Sequence, residues 1–212
     1  GSLSLTGVTG SALAAGTVGN IVVNGSEVDL VVSSYTPKNL VWKGGNPNSD
    51  WDINNTLNFL NGGSPSAFNN SDDVTFDSTG VANPNVNLAA TVAPSSVTVD
   101  TSGGNYTFSG SGQIAGATGL AKIGTGTLQI ANVNSYGGNT VVSNGVLQVG
   151  VNDAIPSPTL SGGDVDVKGP GTLDLNGFNN TINALTGSGT VDSVSGGTPV
   201  LTVGNNNDDG TF

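Results

Sequence analysis

Gly126-Thr127-Leu128-Gln129-Ile130 returns as Gly145-Val146-Leu147-Gln148-Val149, as Gly171-Thr172-Leu173-Asp174-Leu175 and, in shortened form, as Gly189-Thr190-Val191. Weaker strand-like stretches, Thr140-Val141-Val142 and Thr181-Ile182, fall between the copies. Each copy alternates apolar with polar residues, the period-2 pattern of a strand with one face buried. A motif that recurs at intervals of roughly 20 residues marks a stack of short supersecondary units. A parallel β-helix has this design, with each strand paired to its counterpart one coil along at about 4.8 Å. Glycine opens the corners between faces, and stability comes from neighbouring coils because one coil buries little alone.

The same signals run outward in both directions. Leu40-Val41-Trp42, Val74-Thr75-Phe76, Val86-Asn87-Leu88, Val97-Thr98-Val99 and Tyr106-Thr107-Phe108 are short, alternating and closed by Gly, Asn, Asp or Ser. Ile21-Val22-Val23 and Val28 to Val32 add two strands near the start, and helical periodicity is almost absent. The reading is all-β, a right-handed parallel β-helix, with a β-sandwich as the alternative because short strands and turns also describe that fold. At that coil length the 212 residues correspond to roughly ten coils.

Composition removes several function classes. Of 212 residues, 34 are glycine, only 9% are charged and 35% are hydrophobic, so the surface is polar without being ionic and there is enough apolar material for a core. Net charge is −11, with Lys38, Lys43, Lys122 and Lys168 the only cationic side chains. Nucleic-acid binding needs a basic footprint, which is missing, so no nucleic-acid partner is expected. Without cysteine there are no disulfides, thiolate ligands or thiol nucleophiles. No apolar run reaches the roughly 20 residues of a membrane-spanning helix, so no membrane insertion is expected.

Residues 119–150 carry a more specific signature. They read Gly119-Leu120-Ala121-Lys122-Ile123-Gly124-Thr125-Gly126-Thr127-Leu128, then Asn134-Ser135-Tyr136-Gly137-Gly138-Asn139-Thr140-Val141-Val142, then Gly145-Val146-Leu147-Gln148-Val149-Gly150. This resembles the autotransporter-associated β-strand repeat, also called the passenger-associated transport repeat. Leu40 to Asp77 is similar to the segment that precedes this repeat in large secreted bacterial proteins. The resemblance implies an exported, β-helical stalk, adhesin passenger or fibre at the bacterial surface or outside the cell. It transfers no catalytic residue and no cofactor. The expected organisation is the end of a preceding β unit over 1–36, a β-rich lead-in over 37–118 and the repeat region over 119–212, in one elongated whole.

Candidate chemistry is sparse. Asp164, Asp166 and Asp174, or Asp72, Asp73 and Asp77, could be compared with the acid clusters of polysaccharide-cleaving β-helices. Glycosidase chemistry needs two carboxyls at fixed spacing, one with a raised pKa. The chain also has no Arg or His to assist them, so no catalytic residue and no enzyme is expected. Asn46, Asn48, Asp50, Asp52 and Asn54 alternate like half a calcium loop, and Asn205 to Asp209 is acid-rich. The metal candidates are therefore Asp50, Asp52, Asp208 and Asp209. Against them, the central glycine and closing glutamate of such a loop are missing, Glu27 being the single Glu.

Trp42, Trp51, Tyr106 and Tyr136 read as core residues, with a sugar-stacking platform as the second reading. Asn54-Asn55, Asn69-Asn70 and Asn179-Asn180 are expected to stack as amide ladders. Both chain ends look like strand and neither shows a cap, which puts Leu3, Leu5, Thr211 and Phe212 in head-to-tail contact with copies of the chain or with flanking repeats. Gly210-Thr211-Phe212 also looks like a second occurrence of Tyr106-Thr107-Phe108. Glycans are the alternative partners.

Overall fold

A computed structural model describes residues 18–24, 27–33, 35–158, 162–205 and 210–212. Leu3, Leu5, Asp208 and Asp209 lie outside the described residues. The chain divides into two compact units, Gly1–Thr36 and Pro37–Phe212. In the first, β1 (Val18–Asn24) and β2 (Glu27–Ser33) form an antiparallel hairpin in which Val18 pairs with Ser33 and Asn24 with Glu27.

The second unit is a parallel β-solenoid. Its first turn contains β3 (Asn39–Trp42), β4 (Asp50–Trp51), β5 (Phe59–Asn61) and β6 (Ser64–Ser66). Two-strand turns follow: β7 (Asp73–Asp77) with β8 (Asn85–Leu88), β9 (Ser96–Asp100) with β10 (Tyr106–Ser109), and β11 (Leu120–Lys122) with β12 (Thr127–Ile130). Then come β13 (Thr140–Val142) with β14 (Val146–Val149), and β15 (Val165–Val167) with β16 (Thr172–Asp174). The last described strands are β17 (Asn180–Thr181), β18 (Leu185–Gly187), β19 (Thr190–Asp192) and β20 (Leu201–Thr202). A 3₁₀ turn at Ser78–Gly80 is the single helical segment among the described residues.

One sheet stacks β3, β7, β9, β11, β13, β15 and β18 in parallel, and the other stacks β4, β8, β10, β12, β14, β16 and β19. The solenoid makes about six turns, not the ten that a uniform short coil implies. Along the first sheet Leu40 pairs with Val74, then come Val97, Leu120, Thr140, Val165 and Leu185. The first of these steps is the longest, because β4, β5 and β6 lie within it. Val18–Asn24 and Glu27–Ser33 pair antiparallel instead of adding parallel coils.

Alternation decides which side chains enter the tube. Tyr106, Leu128, Leu147, Leu173 and Val191 form one inward column of the second sheet, and Val86, Phe108, Ile130 and Val149 form another. The six side chains read from the sequence as inward, Leu128, Ile130, Leu147, Val149, Leu173 and Leu175, are all 6% exposed or less. Burying one such side chain contributes about 2 kcal/mol, and stacking equivalents puts like shapes against like at sheet spacing.

The first turn differs. β5 runs antiparallel to β3, with Trp42 opposite Phe59, and β6 runs antiparallel to β5, with Leu60 opposite Pro65. Asn61-Gly62-Gly63-Ser64 makes the turn, both glycines having positive φ. Beneath lies an aromatic plug in which Trp42–Phe59 and Trp51–Phe68 ring centroids are 5.1 and 5.5 Å apart. β5 and β6 therefore extend the first sheet beyond β3 as an internal excursion of the chain.

A third face closes the turns. Val92 and Ile114 form an isolated parallel bridge, and β17 pairs with β20. Between these points asparagine side chains replace strand hydrogen bonds. Asn134 Oδ1 accepts from Ile114 N at 2.9 Å while its Nδ2 donates to Ala154 O at 3.0 Å, so one buried amide joins three turns. Asn180 exchanges two hydrogen bonds with the Ile155 backbone. Of the amide pairs expected to stack, Asn179-Asn180 bonds across turns, but to backbone rather than amide to amide, with Asn179 N donating to Asn152 Oδ1 and Asn179 Oδ1 accepting from Val200 N. Asn70 contributes one cross-turn bond, from Ala93 N, whereas Asn54 and Asn55 lie exposed in the Asp52 turn, where Asn55 bonds locally.

Candidate functional site

The repeat motif converges on the corner between β11 and β12. Leu120 and Lys122 both point inward from β11, and Lys122 stands in the column of Phe76, Val99, Val142 and Val167. Its alkyl stem fills a core position with no exposure, and its ammonium donates to the carbonyls of Gly124 and Asn144, the latter at 3.2 Å. Two corner carbonyls on successive turns are thereby tied by one charged donor. Glycines complete the corner because the backbones touch. A Cβ on Gly126 would sit 1.9 Å from Gly104 O, and one on Gly145, which has φ +64°, would sit 2.4 Å from Gly126 O. The motif's Leu128 and Leu147 then enter the core.

Burial lowers the Lys122 pKa to about 8, with Asp100 opposing the shift. Between about 8 and 10.5 the unfolded chain holds a proton that the folded chain has lost, so stability rises with pH across that window. Burial pushes the Tyr106 and Tyr136 hydroxyls up, so those groups cost stability only above the ordinary tyrosine value of about 10. Urea midpoints measured between about pH 7.5 and 9.5 should therefore increase for the wild type, and Lys122→Met should remove the increase. An equal increase in the variant would assign it to another group.

The carboxylates serve the backbone. Asp164 and Asp166 lie on or beside β15 in one sheet, while Asp174 lies on β16 in the other. Asp166 pairs with Lys168 at 3.4 Å. Asp174 lies on the outer face beside Gln148 yet is buried, and accepts from Asn176 N, Val194 N and Gln148 Nε2 at 2.8, 3.0 and 2.8 Å. Gln129 Nε2 donates in turn to Gln148 Oε1, making a column of polar side chains along the outer face that ends at Asp174 and Asp192. Loss of hydration, then the neighbouring Asp174, raises the Asp192 pKa. Asp72 is buried and accepts from Lys38 N and Asn69 N, Asp73 accepts from Ser96 Oγ, and Asp77 caps the 3₁₀ turn through Thr79 N.

The calcium candidates within the described residues are similarly engaged. Asp50 accepts from Asn48 Nδ2 and Asn87 Nδ2, and Asp52 accepts from Asn55 Nδ2 and from Thr56 N and Oγ1. Their oxygens hold N–H and O–H donors of a polar turn. Among the described residues no group of three or more His, Cys, Asp or Glu is placed to hold a metal ion. Trp42, Trp51, Tyr106 and Tyr136 are each 1% exposed or less, which puts them in the core and removes the stacking platform. Tyr106 Oη donates to Asp77 O, and Tyr136 Oη shares a hydrogen bond with Thr140 Oγ1.

An open groove of about 390 Å³ runs along the third face, lined by residues that include Val133, Asn134, Ser135, Asp153, Ile155 and Thr181. Asp153 Oδ1 there accepts from Thr181 N. At the far edge of the first sheet, Thr211 O accepts from Gly187 N of β18. Thr211 is thus beside the first sheet, whereas Tyr106-Thr107-Phe108 belongs to the second, so the likeness between those stretches is not a structural equivalence. Phe212 is 54% exposed. No helix among the described residues is long and apolar enough to cross a membrane.

The corner, its glycine column and its buried lysine define a repeat that stacks turn on turn. Residues 120–149 match the family model described as passenger-associated-transport-repeat, so the chain carries one such repeat. Over 106 residues, half of this chain, it is 37% identical to the adhesin BmaC autotransporter of Brucella suis biovar 1 (strain 1330). The chain covers 3% of that adhesin's length. No solved structure matches.

Sequence reasoning missed the inward orientation of Lys122 and the asparagines of the third face. An alternation count from Leu120 would have placed Lys122 inside, because Leu120 and Lys122 share a face in a strand.

Proposed function

We propose that this chain is a non-catalytic structural segment of a bacterial surface or secreted passenger, a length of stalk that continues into flanking repeats. The observation that supports this reading is the role of the repeat residues: Leu120, Lys122, Gly126, Leu128, Gly145 and Leu147 all contact neighbouring turns or fill the core. Adhesion is the second reading, favoured by the similarity to an autotransporter adhesin. It would use the outer faces to contact glycans or another cell. The same similarity supports a location at the cell surface or outside it.

Incubation with a panel of polysaccharides tests the non-catalytic reading. The expected result is no release of new reducing ends or unsaturated products. Reproducible turnover lost on Asp166→Asn would overturn it. A glycan array separates the two readings, since a stalk leaves the array blank and an adhesive face gives saturable binding to a defined class of sugar.

A further inference from the structure

We infer that Asn144-Gly145 is a self-modification site, at which the folded chain converts the Asn144 side-chain amide to a carboxylate with Lys122 assisting. The inference goes beyond the stalk and adhesin readings and depends on neither.

Asn-Gly pairs occur at Asn24-Gly25, Asn61-Gly62, Asn144-Gly145 and Asn176-Gly177. In such a pair the glycine nitrogen can attack the carbonyl carbon of the preceding side chain, and glycine has no Cβ to crowd the approach. Gly25 lies outside the described residues. At Asn144-Gly145 two arrangements favour the attack. Gly145 lies at the corner between β13 and β14, and its N donates to Asn144 Oδ1 at 2.8 Å. This contact holds the side-chain amide against its own nucleophile. Both residues are half-buried, so water reaches them.

Lys122 supplies the second arrangement. Its ammonium donates to Asn144 O at 3.2 Å, the carbonyl of the peptide bond whose nitrogen belongs to Gly145. When that nitrogen loses its proton, the negative charge is shared with the carbonyl oxygen. A cationic donor already placed there stabilises the charge as it develops. Asn176-Gly177 has its reacting atoms engaged elsewhere, since Asn176 Nδ2 donates to Val149 O at 3.1 Å and Gly177 N to Ser193 Oγ at 3.0 Å. Asn61-Gly62 lies in the exposed turn between β5 and β6, which makes it the reference for a pair bathed in water.

The chemistry needs only water. A water molecule takes the Gly145 N–H proton, the nitrogen lone pair bonds to Asn144 Cγ, and the Cγ–Nδ2 bond breaks as Nδ2 leaves as ammonia with a proton from solvent. The five-membered ring holds Gly145 N and Asn144 C, Cα, Cβ and Cγ. Water opens it at either carbonyl, giving aspartate or its main-chain isomer. In sum, amide and water become acid and ammonia, with no change of oxidation state. The new carboxylate stands on the residue whose carbonyl Lys122 already holds, so a charge pair then joins the turns of β11 and β13.

The full chain is aged at neutral pH, folded and in urea, and acid at each Asn-Gly pair is followed by peptide mass spectrometry. In urea sequence alone sets the rates. The expected result is that folding leaves Asn144 at least as fast as in urea and slows Asn176 by about tenfold or more, the equivalent of holding its atoms by one or two hydrogen bonds. Lys122→Met should slow Asn144 by about tenfold relative to Asn61, the equivalent of one charge-assisted hydrogen bond. A readout on the wild type covers the case in which that variant does not fold. Lys122 loses its charge as pH rises past about 8, Asp100 being the charged group that acts on it. The ratio of the Asn144 rate to the Asn61 rate, which cancels their shared dependence on hydroxide, should therefore fall across that pH. Asn144 remaining an amide in the folded chain while it converts in urea would overturn the inference. A rate ratio indifferent to pH would overturn the part given to Lys122.

Discussion

Leu147→Asp should abolish the cooperative unfolding transition of the solenoid. Leu147 has no exposure and is stacked between Leu128 on one turn and Leu173 on the next. Truncating such a leucine alone costs about 2–5 kcal/mol. A carboxylate in its place has no donor within the aliphatic column, and desolvating an unpaired charge adds several kcal/mol more. The sum rivals the whole stability of an ordinary domain, about 5–15 kcal/mol. In a solenoid each turn is supported by its neighbours, so damage at a middle turn uncouples both sides. Val146→Asp, one residue away and pointing outward, should change stability by about 1 kcal/mol or less. Urea denaturation of the two variants checks this; similar midpoints would mean that the inward and outward faces are misassigned.

Gly126→Ala should also destabilise the solenoid, for a different reason. Its Cβ would lie 1.9 Å from Gly104 O and 2.5 Å from Thr101 Oγ1, and the first of these is backbone that cannot rotate away. The two turns would have to part at the corner, where Gly126 N also donates to Thr101 O at 2.8 Å. Overpacking of this kind costs about 1–3 kcal/mol, and disturbance of the adjoining ladder adds to it. Gly103→Ala is the matched control, because nothing lies within 4 Å of the Cβ it would acquire. Thermal midpoints should fall clearly for Gly126→Ala and stay close to wild type for Gly103→Ala. Equal midpoints would show that the corner is looser than the stacked glycines imply.

These two positions also mark what can be read from the sequence. Leu128, Leu147 and Leu173 alternate with polar residues and recur after the same glycine, so periodicity alone assigns the strands and the inward face. The number of turns is less legible. The recurrence around the motif is short, and nothing in it reveals the long first step from Leu40 to Val74, where β5 and β6 reverse direction. Asn61-Gly62-Gly63-Ser64 is the available hairpin signal for that reversal.

The third face is hidden because Asn132, Asn134, Asn180 and Asn183 look like loop residues. Only the fold reveals that their amides substitute for backbone pairing inside the protein. Lys122 reads as part of a signature, but an inward strand position is ordinarily apolar. Its role depends on carbonyls that the corner brings within reach. The acids show the converse. Asp50, Asp52 and Asp174 invite a metal or catalytic reading because acids cluster in sequence, whereas each is engaged by neutral donors that only the folded turns supply.

Sequence-distant repeats stack in register at sheet spacing, and a single distance tests that most directly. Thr107, Gln129, Gln148, Asp174 and Asp192 are successive register partners on the outer face of one sheet. Spin labels at Thr107→Cys and Asp192→Cys are therefore separated by four strand steps. Pulsed electron–electron resonance should give one narrow distance of about 19 Å, allowing for label length, at about 4.8 Å per step. A broad distribution, or a mean well beyond about 30 Å, exceeds what four steps at sheet spacing can span and would contradict the solenoid and the structural role built on it.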